Sequence, residues 1–218
     1  FYDVHFSYID LEDEEERYVS TPENGGSALI PEGDLQAGSL YSIAHQPGDG
    51  NLGLVRLDLQ VMPGNGKFTH TGFGGGSKIS DELKEAVNYC RSNLGRISQS
   101  ARFSDCELHM KATDINGIGT LEGLELGVFI SLVSGITSRS IQPQMCVLGS
   151  MSIRGTIIPT SDLAGALQIA HDAGAKRILI PVADMMQYSK VPADLISKFS
   201  LEVYSDPVDA AFKALGIK

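Results

Sequence analysis

Two carboxylates three residues apart, Glu122 and Glu125, open the apolar run Leu124 to Val133. At that spacing both lie on one face of a helix, where a carboxylate can serve as acid, base or hard-cation ligand. Acid–base work needs a partner within reach, and a cation needs several oxygens; the sequence displays neither. In a first helical turn both acids interact favourably with the positive end of the macrodipole, and that structural role is the expectation for them. Gly72-Phe73-Gly74-Gly75-Gly76-Ser77-Lys78-Ile79 invites a phosphate-loop reading. A phosphate loop wants Gly directly before Lys and Ser or Thr directly after it. Here Ser77 precedes Lys78 and Ile79 follows, so the segment reads as a flexible turn. His109 falls on a strand and His171 on a helix, as structural histidines, and His5, His45 and His70 form no ligand spacing. Cys90, Cys106 and Cys146 are isolated, without CxxC or Cys/His spacing, which predicts reduced thiols and no metal site.

The elements that must position these residues follow from pattern and composition. A length of 218 residues and a hydrophobic content of 42% suffice for one substantial core. The net charge of −10 argues against general nucleic-acid binding by this chain, because phosphate contacts want clustered Lys and Arg. No apolar run is long enough for a membrane span, and no secretory leader pattern appears; a cytoplasmic location is expected. Phe1 in place of a starting Met fits a piece of a longer protein.

Residues 1–37, with an acidic run from Asp10 to Glu16 and Pro/Gly-rich turns, read as a linker or surface arm, and 38–218 as one folded domain. Leu57, Leu59 and Val61 alternate with Arg56, Asp58 and Gln60, the mark of a half-buried strand. Pro63-Gly64-Asn65-Gly66 is a turn, after which Phe68 to Thr71 is expected to pair back as a hairpin. A helix is expected over 80–93 with Ser80 as N-cap and Leu83, Val87, Cys90 and Leu94 on one face. Cys106 to Lys111 reads as a strand, and Leu124 to Val133 as a buried helix ending at Gly135. Strands over 144–149 and 151–158, a helix near 162–173, and a strand at 177–181 follow. A short helical stretch after Asp184, a strand at 201–204 and a helix from Pro207 complete an α+β fold of mixed small sheets and hairpins with four to five helices.

Glu122-Gly123-Leu124-Glu125-Leu126-Gly127, then Ile153-Arg154-Gly155-Thr156-Ile157-Ile158-Pro159, then a small-residue helix ending His171-Asp172-Ala173-Gly174, resemble in order and spacing the proteolytic domain of the Lon family. Thr69-His70-Thr71-Gly72 with its following helix, and Ala173 to Pro181, extend the likeness over roughly residues 50–215. Residues 112–120 depart from the family's proline-rich groove loop. The resemblance implies a Ser/Lys peptidase site, in which a serine hydroxyl passes its proton to a buried neutral lysine. In the register of Gly123, Gly127, Gly149, Arg154, Gly155 and Pro159, the family's serine falls on Glu125 and its lysine on Ala166. A family threonine falls on Leu148, and only Glu122 keeps the acidic character of the family's Asp. Ser150, Ser152 and Ser161 flank that site as alternative hydroxyls, and Arg154 reads as an anchor for a carboxylate or neighbouring chain. Within the family the chain most resembles the Lon-related AAA+ proteins of bacterial BREX phage-defence systems. That implies a protease-inactive C-terminal domain serving ring assembly of like subunits or partner docking. ATP and Mg are expected only in an ATPase segment outside this chain, and DNA as a partner of the whole protein. The alternative is an ATP-dependent peptidase with a rearranged site.

Overall fold

A computed structural model describes residues 6–9, 16–19, 28–74, 77–99 and 101–217, with side chains from residue 28 onward except those of Ser77 and Lys78. Most of the segment read as an arm lies outside these residues. Within it, β1 (Phe6–Ile9) and β2 (Glu16–Val19) pair antiparallel in a two-stranded sheet. The last part of the segment packs on the domain: Ile30 is fully buried and its N–H donates to Ala173 O at 2.9 Å.

Seven strands form one sheet: β3 (Leu40–His45), β4 (Leu52–Pro63), β5 (Phe68–Thr71), β6 (Cys106–Asp114), β7 (Met145–Val147), β10 (Arg177–Pro181) and β11 (Ser200–Tyr204). Their spatial order is β11-β10-β7-β3-β4-β6-β5. The sheet is mixed: β4 runs antiparallel to both β3 and β6, and the other pairs are parallel. A separate hairpin joins β8 (Ser150–Met151) to β9 (Ile157–Ile158).

Alternation along the strands sends side chains to two cores, as the two-residue period of a strand requires. Leu40, Ala44, Val55, Leu57 and Val147 face helices α1 (Ser77–Ile97), α2 (Glu125–Ile136) and α5 (Pro207–Ala214). Tyr41, Ile43, Leu54, Cys146 and Ile180 face α3 (Leu163–Asp172) and α4 (Ala193–Ile196). Both faces of the sheet are therefore covered. Helix α2 is buried along nearly its whole length, which accounts for a sequence apolar almost all round. It lies close to the sheet because Gly127 and Gly135 carry no side chain: a Cβ at Gly135 would stand 2.6 Å from Leu59 Cδ2.

The α+β class and the five helices agree with the sequence reading; three local expectations are corrected. Phe68–Thr71 does not pair back on β4. Strand β6 takes the full length of β4 from Val55 to Pro63, so β5 lies on the far edge of β6, parallel to it. The turn between them is held from β6, with Gly64 N–H donating to Asp105 O at 3.0 Å and Gly66 N–H to Cys106 O at 2.8 Å. Helix α1 begins at Ser77, which places Ser80 inside the first turn and not at the cap. Residues 151–158 are not one strand: Ser152 to Thr156 turn the chain, and Gly155, at φ +79°, lies against the Tyr89 ring where a Cβ would not fit.

Candidate functional site

The segment before α2 is pinned to the end of β3. Glu122 and His45 exchange backbone hydrogen bonds, both at 3.1 Å, and Glu122 Oε2 stands 3.7 Å from His45 Nε2. Gly123 is needed between them: its φ is +82°, and a Cβ there would lie 2.7 Å from His45 Nδ1. Glu122 thus helps hold a turn, and Glu125 follows in the first turn of α2, buried, where a carboxylate suits the helix dipole.

Glu125 also has a partner that sequence spacing did not indicate. Ser150 Oγ donates to Glu125 Oε2, and both residues are buried. Ser150 is set in place by Gly149, whose φ is +87° and whose missing Cβ leaves room for Pro181 Cγ and Tyr204 Oη, each 2.5 Å from where it would stand. Tyr204 Oη in turn donates to Leu148 O at 2.7 Å. Burial and, to a lesser degree, the nearby Asp184 push the Tyr204 hydroxyl far above its ordinary range. This tyrosine is a buried brace.

Ser150 lines a cleft of about 250 Å³. Ile43, Leu52, Ile158 and Pro159 form apolar walls, and His45, Thr160 and Ser161 contribute polar groups. Ser152 is in the hairpin turn, where its Oγ accepts from Thr156 N–H at 3.3 Å. Leu148 and Ala166 are fully buried together in the apolar cluster on the α3 side of the sheet, among Ile43, Leu54 and Leu163. The positions matched to the family's serine and lysine therefore hold a carboxylate already engaged by Ser150 and a methyl group packed in hydrocarbon. Every lysine whose side chain is described lies at or near the surface, and none contacts Ser150. A hydroxyl directed at a carboxylate is a hydrogen-bonded polar pair; the amine acceptor of a Ser/Lys site has no counterpart among the described side chains.

Beyond the cleft is a feature the sequence reading missed. Asp184 is fully buried, accepts from Thr160 N–H at 2.9 Å through Oδ1, and leaves Oδ2 without a partner among the described residues. Thr160 Oγ1 is likewise buried and unpaired. Burial pushes the Asp184 carboxyl up, opposed in part by hydrogen bonding from Thr160. Gln187 Nε2 donates to Thr160 O at 2.7 Å, so Val182–Met186 and its continuation are tied to the cleft wall. Only the alternation of Ile178 to Pro181, running directly into Asp184, hinted that an acid might be enclosed here.

The remaining candidates are structural. His109 Nδ1 lies 2.8 Å from Thr69 Oγ1, and His171 stands beside Asp172 and Phe199. All three cysteines are free, and burial pushes the Cys90 and Cys146 thiols up to about 12. In the glycine-rich turn, Gly75 and Gly76 lie outside the described residues, and Phe73 O accepts from Leu121 N–H at 3.2 Å. Among the described residues no cluster of three metal-ligating side chains occurs, and no helix is long and apolar enough to cross a membrane.

A family model of the Lon protease (S16) C-terminal proteolytic domain matches residues 32–215. The protein named Lon-like protease BrxL from Escherichia coli O9:H4 (strain HS) is 43% identical over 217 residues, covering 100% of this chain and 31% of that protein. Its namesake from Bacillus cereus (strain H3081.97) is 40% identical over 218 residues, covering 100% of this chain and 32% of that protein. Lon protease 1 of Sorangium cellulosum (strain So ce56) is 29% identical over 158 residues, or 69% of this chain and 18% of that protein. The chain thus spans about a third of the length of the first two relatives.

Proposed function

Because the chain belongs to the family of Lon protease C-terminal proteolytic domains, we propose that it is a proteolytically silent member whose role is subunit assembly and partner docking. The observation that carries this reading is Ala166. A Ser/Lys site depends on an amine whose burial keeps it neutral enough to accept a proton. Here the matched position is a methyl group enclosed by apolar side chains. Leu148 removes a second polar member, and Glu125 replaces the nucleophile with an acceptor already bonded to Ser150. Loss of dyad members removes several orders of magnitude in rate.

The longer protein is proposed to be a cytoplasmic AAA+ member of a BREX phage-defence system. It would assemble as a ring of like subunits, with ATP and Mg held by a segment outside this chain and DNA as partner of the whole. The BrxL names of the similar relatives support this assignment. The second reading, a peptidase with a rearranged site, has one observation in its favour: Ser150 is a buried hydroxyl facing an apolar cleft with a carboxylate behind it.

Incubation with unfolded casein and with fluorogenic peptides separates the two. The silent reading expects no cleavage above a buffer blank. Cleavage abolished by Ser150→Ala would establish the rearranged site instead. The double change Glu125→Ser with Ala166→Lys tests the register, since labelling by a serine-reactive probe would place the two positions within reach of each other.

A further inference from the structure

Five of the eight exposed large hydrophobic side chains fall in two segments that are tied together. Ile153 and Ile158 belong to the β8–β9 hairpin; Val182, Met185 and Met186 belong to the 3-10 turn after β10, and Met186 is 86% exposed. Asp184 and Gln187 clasp Thr160 from that turn, which brings Met185 and Met186 beside the end of β9. Together these side chains present apolar surface on the order of 500 Å², at the upper end of the largest patch found on ordinary monomers. That is more than half of the roughly 800 Å² each partner contributes to a standard interface. Methionine suits such a face because its unbranched, polarizable side chain adapts to a partner.

Charge says what covers it. The protein has 27 acidic residues and a net charge of −10. Yet across residues 150–161 and 181–192 the single acid is Asp184, which is fully buried. The cations there are Arg154 and Lys190, both exposed and without an ion pair among the described residues. This is an apolar face bearing exposed positive charge on an otherwise acidic molecule.

We infer that this face docks onto the acidic surface of a second copy of the chain, an inference that rests on the assembly reading above. Two such faces meeting each other would set like charges together, which opposes an isologous dimer. A head-to-tail contact pairs the cationic, apolar face with a different, acidic one, and heterologous contacts of this kind close into rings.

The test is sedimentation velocity on the 218-residue chain over a wide concentration range. The wild type should self-associate. Met185→Ser with Met186→Ser should raise the dissociation constant at least tenfold. Arg154→Glu with Lys190→Glu should do the same in low salt, with the effect shrinking in 0.5 M NaCl as charges are screened. All four residues are exposed, so the thermal midpoints should match the wild type and exclude misfolding as the cause. Association unchanged in both variants overturns this face while leaving assembly standing. A wild type that stays monomeric throughout overturns both. A monomer that binds unfolded carboxymethylated lactalbumin through Met185 and Met186 assigns the face to a peptide and overturns the self-contact.

Discussion

The pairing of Ser150 with Glu125 makes a quantitative demand on stability. Both groups are buried, and each depends on the other for its hydrogen bond. Truncating either one leaves a buried polar atom unsatisfied, at a cost of about 1–3 kcal/mol. A hydrogen bond to a carboxylate contributes about 1.5–3 kcal/mol. Glu125→Ala also removes a first-turn acid, for a further 0.3–1 kcal/mol or so, but that loss is independent of Ser150 and cancels in a double-mutant cycle. Each single variant should therefore lose about 2–3 kcal/mol, which for a chain of this size lowers the thermal midpoint by roughly 4–12 °C. The double variant leaves no orphaned partner, so its loss should fall short of the sum by about 1.5–3 kcal/mol. Urea unfolding of the four proteins at one pH measures this directly. Additivity within about 0.5 kcal/mol would refute the pairing, and with it the account of why an acid is tolerated at that buried position.

Asp184 and Gly149 supply two more tests. Burial raises the Asp184 carboxyl, so the folded state holds its proton more tightly than the unfolded chain. Its stabilising contribution is complete below the ordinary carboxylate range and is lost as pH rises through the folded value. Asp184→Asn keeps an acceptor for Thr160 N–H and adds a donor, so its stability relative to wild type should grow from pH 4 to pH 8; parallel urea profiles would refute this. Gly149→Ala forces a positive φ on a residue with a Cβ, 2.5 Å from both Pro181 Cγ and Tyr204 Oη. Strain and overpacking together should cost about 2–5 kcal/mol by chemical denaturation, and a loss below 1 kcal/mol would mean that the turn is looser than it appears.

Much of this architecture was legible in the chain because it rests on local rules. The alternation in β4 shows directly in which of Leu57 to Val61 are buried. Asp162 and Asp206 cap α3 and α5 by accepting backbone N–H groups, close to where the pattern started those helices. The glycines that carried the family register are required by geometry: Gly123 by His45, Gly149 by Pro181 and Tyr204, Gly155 by Tyr89. Each constraint leaves a mark on its own residue.

What the chain did not disclose is which distant groups meet. Phe68–Thr71 reads as a strand, but its neighbour was decided by β6 having already taken the edge of β4. Ser150 is an ordinary serine until folding brings it to Glu125, twenty-five positions away. The apolar face was invisible for the same reason, since its two segments are joined only through Thr160. Period and residue type report how a position is oriented and how deeply it is buried. They carry no information on what lies across the gap, because that contact is chosen by the packing of the whole chain. The sequence alone therefore determined the elements and the seats of the family's site, with the acid and the methyl group that now fill them. Tertiary structure alone decided that the acid would be satisfied by a hydroxyl and that Asp184 would be enclosed.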